Sequence, residues 1–336
     1  MNWSEQIVVV TGGTGSFGKK FVETMLREYH PKTIRIFSRD ELKQYEMQKQ
    51  FDHPSLRFFI GDIRDRERVH RALEGATLVI HAAALKQVPA CEYNPFEAVK
   101  TNILGAQNLV EAAIEHNIPR TVALSTDKSV NPTNLYGATK LCMERLFTAA
   151  NSYSGEHPVR FSCVRYGNVV GSRGSVIPLF LQQSQSGVLT VTDKRMTRFW
   201  ITLDQGVRLV IQTAETMHGG EVFVPKIPST RILDLARLIG PECQIKEMGI
   251  RPGEKIHEAL LTEDEARHSL EFEDKFVIQP EYHWWNWENW KGGKKLPDAY
   301  RYTSDTNPVW LKDDELLQMV EEIAQEHHLP LPDKVS

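Results

Sequence analysis

Short apolar runs alternate with longer mixed stretches through the first half of the chain. Ile7-Val8-Val9-Val10 is apolar at every position, the pattern of a strand covered on both faces, as in a parallel sheet. Similar runs predict strands at Ile7–Thr11, Thr33–Ser38, Leu56–Ile60, Ala76–Ala82, Arg120–Ser125 and Val159–Tyr166. The segments between them predict helices near Phe17–Tyr29, Glu41–Phe51, Arg64–Leu73, Ala98–His116 and Leu135–Tyr153. Regular strand–helix alternation requires right-handed crossovers and predicts an α/β fold with a doubly wound parallel sheet.

After Tyr166 the rhythm changes. Gly167, Gly171 and Gly174 punctuate a loop, and the elements become shorter. Leu203–Met217 still reads as a helix able to return to the first sheet. The expected division is a first domain over residues 1–166 plus the helix at about 203–218. A smaller C-terminal lobe then takes 167–202 and 219–336. A length of 336 residues suits two such units.

Charge and composition narrow the classes. With 40 Lys and Arg against 44 Asp and Glu, the net charge is -4, which argues against nucleic acid as a partner. No apolar run approaches the roughly 18 residues of a membrane span. The N-terminus shows no secretory pattern, so a soluble cytoplasmic protein is expected. Cys91, Cys142, Cys163 and Cys243 are too scattered for a metal pair or a disulfide framework, and no metal is expected. A segment at 282–290 gathers four of the seven tryptophans; an arm packed on its own domain or on a neighbouring subunit is expected there.

Directly after the first strand stands Thr11-Gly12-Gly13-Thr14-Gly15-Ser16-Phe17-Gly18, followed by a helix. Glycines at 12, 15 and 18 allow a tight turn, approach of a pyrophosphate and close helix packing. The helix N-terminus offers free N–H groups and a positive dipole end. Thr14, Gly15, Ser16 and Phe17 therefore read as a dinucleotide cradle on a Rossmann-type sheet. The end of the second strand chooses the dinucleotide. Ser38-Arg39, with Lys43 one turn on, suits a 2′-phosphate and hence NADP; Asp40 would serve NAD if the strand ended one residue later. Asp62 and Ile63, after the third strand, are placed to meet the adenine, with a capping role as the alternative for Asp62.

The fifth strand ends in Ser125-Thr126-Asp127-Lys128, and Tyr136 and Lys140 follow at i, i+4 spacing. That spacing puts phenol and ammonium on one helix face. A nearby ammonium favours phenolate, so Tyr136 is expected to have a lowered pKa and to take a proton from a sugar hydroxyl.

The glycine loop and Tyr136-x-x-x-Lys140 resemble extended short-chain dehydrogenases/reductases that act on nucleotide sugars. Longer segments sharpen the likeness: Ser38-Arg39-Asp40-Glu41-Leu42-Lys43, His81-Ala82-Ala83-Ala84-Leu85-Lys86, Ser125-Thr126-Asp127-Lys128, Arg165–Ser175, Met196-Thr197-Arg198-Phe199-Trp200 and Arg251-Pro252-Gly253-Glu254-Lys255. From about residue 5 to about 280 the chain is similar to the inverting UDP-N-acetylglucosamine 4,6-dehydratases that open pseudaminic acid biosynthesis.

The resemblance implies transient oxidation at carbon 4, elimination of water across carbons 5 and 6, and return of hydride to carbon 6. NADP is then regenerated in each turnover. The product would be UDP-2-acetamido-2,6-dideoxy-beta-L-arabino-hex-4-ulose. Lys128 would be the base at carbon 5, which requires its pKa to fall, and Asp127 the acid at carbon 6. Retaining dehydratases of dTDP-glucose place Asp-Glu at 127–128, UDP-sugar 4-epimerases lack the pair, and a non-catalytic NADP sensor would be free to lose Tyr136.

On the substrate side, Arg198 and Arg251 suit the diphosphate through bidentate guanidinium contacts. Asn168 and Glu254 would orient sugar or ribose, and Thr101-Asn102 resembles a further substrate-side pair. Ala83 and Lys86 would lie at the nicotinamide end, together with Tyr136 and Lys140. His81 and His257 read as core or capping residues. The family also implies a homo-oligomer, a hexamer.

Overall fold

The computed structural model describes residues 1–171, 176–281 and 290–331. The first half alternates as β1 (Ile7–Thr11), α1 (Ser16–Thr24), β2 (Thr33–Ser38), α2 (Glu41–Phe51), β3 (Leu56–Ile60), α3 (Arg66–Leu73) and β4 (Leu78–His81). Next come α4 (Val88–Tyr93), α5 (Pro95–Val99), α6 (Gly105–Glu115), β5 (Arg120–Leu124), α7 (Leu135–Tyr153) and β6 (Phe161–Val164). The helix expected over Ala98–His116 is broken. Residues 100–104 wind more loosely between α5 and α6, a distortion that often marks functional positions.

The second half contributes β7 (Asn168–Val169), α8 (Val176–Ser184), β8 (Val188–Val191), β9 (Thr197–Ile201), α9 (Leu203–Thr216), β10 (Val222–Pro225), β11 (Ser229–Arg231) and α10 (Ile232–Ile239). It ends with β12 (Gln244–Glu247), β13 (Ala259–Leu261), α11 (Glu263–Ala266), β14 (Ser269–Glu271), β15 (Lys275–Ile278), β16 (Lys294–Lys295), β17 (Tyr302–Thr303) and α12 (Asp313–His327).

Among the described residues, one sheet runs in the order β3-β2-β1-β4-β5-β6-β10-β15-β14-β16. The first six strands follow the dinucleotide-binding order 3-2-1-4-5-6 and pair in parallel. β10 extends the parallel set, and β15, β14 and β16 add antiparallel. Residues 219–336, expected as part of the smaller lobe, thus send four strands into the large sheet. Their burial explains it: Phe223, Val224, Phe276 and Val277 lie in the same apolar core as Val8–Val10 and Ile80.

A second core joins Ile177, Phe180 and Leu181 of α8 to Leu235 and Ile239 of α10 and Val320 of α12. Side-chain caps start the helices that frame the cleft. Asp40 caps α2, Asn134 caps α7, and Thr202 with Gln205 forms a reciprocal box on α9. The run at 282–289 lies outside the described residues. Trp290 packs on Phe223 and Phe272 and donates to Glu221 at 2.8 Å.

Candidate active site

The carboxyl ends of β1, β2, β4 and β5 open on a cleft of about 1120 Å³, roofed by Ile177, Phe180, Met196, Trp200 and Ile232 of the second core. Gly12 turns the chain out of β1 at φ 65°, and a Cβ there would lie 2.9 Å from the Ala83 backbone. Gly15 starts α1 without a side-chain cap, and Thr14, Gly15, Ser16 and Phe17 face the cleft. The first N–H groups of the helix are therefore free for an anion. Gly18 serves packing: a Cβ would come within 2.3 Å of the Gly13 carbonyl oxygen. This cradle fits a dinucleotide pyrophosphate.

At the end of β2 the strand stops at Ser38, and Asp40 is spent as a helix cap. Its carboxylate accepts from the Lys43 N–H at 3.0 Å and pairs with the Lys43 ammonium. The Ser38 hydroxyl accepts from Gln44 at 3.0 Å. Arg39 lies 3.5 Å from Asp62. Asp62 also accepts from the Arg64 backbone at 3.0 Å and its guanidinium at 2.6 Å, so it holds its own turn while facing the cleft beside Ile63.

Thr126, Lys128, Tyr136 and Lys140 all line the cleft. Asp127 lies just behind them, fully buried. Its Oδ1 accepts from the Thr126 hydroxyl at 2.8 Å and from Lys128 Nζ at 3.0 Å, while Oδ2 has no partner. The turn they share is pressed against α7. A Cβ on Gly137 would sit 2.0 Å from the Lys128 carbonyl oxygen.

Two expected charge states are reversed. Burial alone would strip the proton from Lys128, but Asp127 and Glu258 outweigh it, and the pKa is raised instead of lowered. Burial pushes Tyr136 up to about 12, with Lys128 and the Thr126 hydroxyl pulling weakly the other way. Lys140 is not the cation acting on the phenol. It is itself lowered to about 8 by burial, and its ammonium points to Met143 Sδ at 3.1 Å.

Asn102 is also displaced from its expected role. It is buried, bridging both backbone groups of Leu85 at 2.8 and 2.9 Å and donating to the Thr139 hydroxyl at 2.9 Å, so it shapes the wall without lining it. Its neighbour Thr101 does face the cleft, and its hydroxyl is buried without a partner. Asn168 Oδ1 and Glu254 Oε2 are likewise unpartnered at the cleft wall. Buried polar atoms rarely stay unpaired, and these three oxygens lie at the wall of one cleft.

Ala83, Lys86 and Arg251 also line the cleft. Arg198 is nearly enclosed, donating to the backbone of Thr197, Lys255 and Ile256 at 2.7–3.0 Å. His81 hydrogen-bonds Thr11 and His257 hydrogen-bonds Thr197, each at 2.8 Å, in supporting roles. Glu258 and Gly137 were not singled out from sequence.

Comparison with known proteins agrees with this geometry. The family model described as polysaccharide biosynthesis protein matches residues 8–280. An inverting UDP-N-acetylglucosamine 4,6-dehydratase from Campylobacter jejuni is 48% identical over 95% of this chain and 98% of its own. The X-ray structure of Pen from Bacillus thuringiensis superposes with a TM-score of 0.87 at 39% identity, over 98% of this chain and 100% of that one. A UDP-glucose 4-epimerase from Rickettsia conorii is 40% identical over 89% and 91% of the two chains. The chain belongs to the polysaccharide biosynthesis protein family, a branch of the short-chain dehydrogenase/reductase fold, and groups there with the inverting UDP-N-acetylglucosamine 4,6-dehydratases.

Proposed function

We propose that this protein is an NADP-dependent UDP-N-acetylglucosamine 4,6-dehydratase that inverts carbon 5. The observation that carries the reading is the Asp127–Lys128 pair, 3.0 Å apart and beside Tyr136. A 4-epimerase has no elimination to catalyse and no use for that pair.

A nicotinamide dinucleotide supplies the reversible hydride transfer of oxidation at carbon 4 and reduction at carbon 6. Gly12, Thr14, Gly15, Ser16 and Phe17 would hold its pyrophosphate, and Ala83, Lys86, Tyr136 and Lys140 would flank its nicotinamide. Ser38, Arg39 and Lys43 favour a 2′-phosphate, because β2 ends at Ser38 and Asp40 is occupied as a cap.

The chain's own residues move the protons. Tyr136, a phenol at rest, must first pass its own proton to solvent; as phenolate it takes the proton of the carbon-4 hydroxyl, and the resulting ketone acidifies the carbon-5 hydrogen. The resting pair, Lys128 ammonium and Asp127 carboxylate, has the wrong charges for the next step. Transfer of one proton along their 3.0 Å hydrogen bond turns it into an amine and a carboxylic acid. The amine takes the carbon-5 proton, and the acid protonates the departing carbon-6 hydroxyl. Both groups finish in their resting charge states.

Arg251 would meet the diphosphate, while Thr101, Asn168 and Glu254 would pair with sugar and ribose hydroxyls; Arg198, its donors largely taken by backbone carbonyls, would add positive charge at the cleft wall rather than a bidentate contact. Cofactor thus falls to the N-terminal sheet and substrate largely to the C-terminal half. An NMR time course with UDP-N-acetylglucosamine in deuterated water tests the reading. Loss of one water with inverted carbon 5 supports it; a 4-epimer of unchanged mass, or retained configuration, refutes it.

A further inference from the structure

Behind Lys128 lies a carboxylate that the mechanism above does not use. Glu258, at the start of β13, is only 3% exposed, and three cations from three segments converge on it. Its Oε1 is 4.0 Å from Lys128 Nζ and 3.8 Å from Arg198 Nε; its Oε2 is 3.7 Å from Lys255 Nζ. The backbone pins it in place, since Glu258 N–H donates to Ser304 Oγ at 2.9 Å and its carbonyl accepts from Ser304 N–H at 2.8 Å. Oε2 is buried without a hydrogen-bond partner. An oxygen held in this way acts on its surroundings mainly through its field, which is strong where water is excluded.

Lys128 Nζ is consequently suspended between two carboxylates, Asp127 at 3.0 Å and Glu258 at 4.0 Å. The other charged or titratable groups around it are Arg198 on β9, Lys86 after β4, Lys255 before β13 and Tyr136 on α7. Asp127 takes part in the proton transfers, whereas Glu258 stands behind the cleft, away from its lining.

We propose that Glu258 is a positioning residue for the elimination: it holds the Lys128 ammonium at the cleft wall, and its negative charge shifts the pH below which the Lys128–Asp127 pair takes up an extra proton and can no longer form the amine by internal transfer. The inference rests on the reading of Lys128 as the carbon-5 base. The same fixed charge holds the ammonium in place once it has taken the carbon-5 proton, so that it does not return that proton to the face it came from, as inversion requires.

The test compares wild type, E258Q, E258D and K255M, each loaded with NADP. One readout is the pH profile of kcat with UDP-N-acetylglucosamine. The other is the titration of the Lys128 side chain by nitrogen-15 NMR of lysine-labelled protein without substrate, assigned with K128R. Removing one charge at this distance is expected to move both the acid limb and the NMR midpoint of E258Q down by about one to two pH units. E258D, which keeps the charge, moves them much less. K255M removes a cation from the far side of Glu258 and moves them up.

An unmoved E258Q limb and midpoint, or equal shifts in E258Q and E258D, overturns the proposal. If E258Q fails to fold, E258D decides: drawing the carboxylate back by one methylene moves the limb and midpoint down by a fraction of a unit if Glu258 acts on Lys128, and no shift overturns the role. A 4-epimer as product would sink the functional reading alone, because the substrate-free NMR midpoint still answers for Glu258.

Discussion

At Lys128 a single proton separates the oxidation from the elimination, and substitutions there divide the reaction into halves. Tyr136→Phe removes the group that takes the carbon-4 proton, so every later step stops. Lys128→Met leaves that oxidation possible and halts the next stage. Reduced cofactor should accumulate on the enzyme, visible in the near-ultraviolet, while water loss falls by about a hundred- to ten-thousand-fold. Asp127→Asn should behave alike, since an amide is a poor proton donor; near-normal turnover in Lys128→Met would place the base elsewhere. Arg39→Ala should weaken NADP far more than NAD, and an unchanged ratio of the two dissociation constants would reject the 2′-phosphate assignment. Residue identities at this scale were readable because each follows a strand end at a regular spacing. Charge states were not. The proton on Lys128 is held by Asp127 beside it and also by Glu258, 130 positions away in sequence, and Asn102 looked like a ligand group because nothing in the sequence shows that Leu85 and Thr139 consume it.

At the scale of elements, α7 is held against the catalytic turn by the absence of one methyl group. A Cβ on Gly137 would lie 2.0 Å from the Lys128 carbonyl oxygen, too close to accommodate without moving helix or turn. Gly137→Ala should therefore cost on the order of 1–3 kcal/mol of stability and lower kcat by displacing Tyr136 from Lys128. Thermal melting and turnover together check it; a variant with normal kcat would show that the turn can yield. The central strands carry a second, pH-dependent liability. His81, at the end of β4, is fully buried against Thr11, and burial lowers its pKa to about 3. The unfolded chain binds that proton near pH 6.5 and the folded one does not until about 3, so stability falls with pH across that window. The slope is about 1.4 kcal/mol for each pH unit. Urea midpoints measured from pH 7 to pH 4 should fall less steeply in His81→Asn. The strands β1 to β6 were legible because a two-sided strand needs apolar residues at nearly every position. The loosened turn at 100–104 was not, since its residues read as ordinary helix.

At the scale of the whole molecule, two apolar cores face each other across the cleft, and a buried ionic network ties the catalytic helix to the second half of the chain. Arg165, after β6, donates to Glu144 on α7 at 2.7 and 3.1 Å and to Glu265 on α11 at 2.9 and 3.1 Å. It also donates to the Leu260 carbonyl at 3.0 Å, and Glu144 accepts from Ser129, the residue after Lys128, at 2.8 Å. The antiparallel strands of the large sheet escaped the sequence reading because they are short and arrive from a region whose rhythm no longer alternates. The network escaped it because its three charges lie 100 or more positions apart end to end. Arg165→Met should leave two carboxylates buried without a counterion and cost about 3–5 kcal/mol. Lysine should rescue only part of this, because a single ammonium cannot reproduce two bidentate contacts. Adding Glu144→Gln and Glu265→Gln to Arg165→Met should recover part of the loss by removing the stranded charges, and urea unfolding of the single and triple variants measures it. If Arg165→Met alone unfolds like wild type, the two halves are held by their apolar contacts, and the catalytic turn does not depend on this bridge.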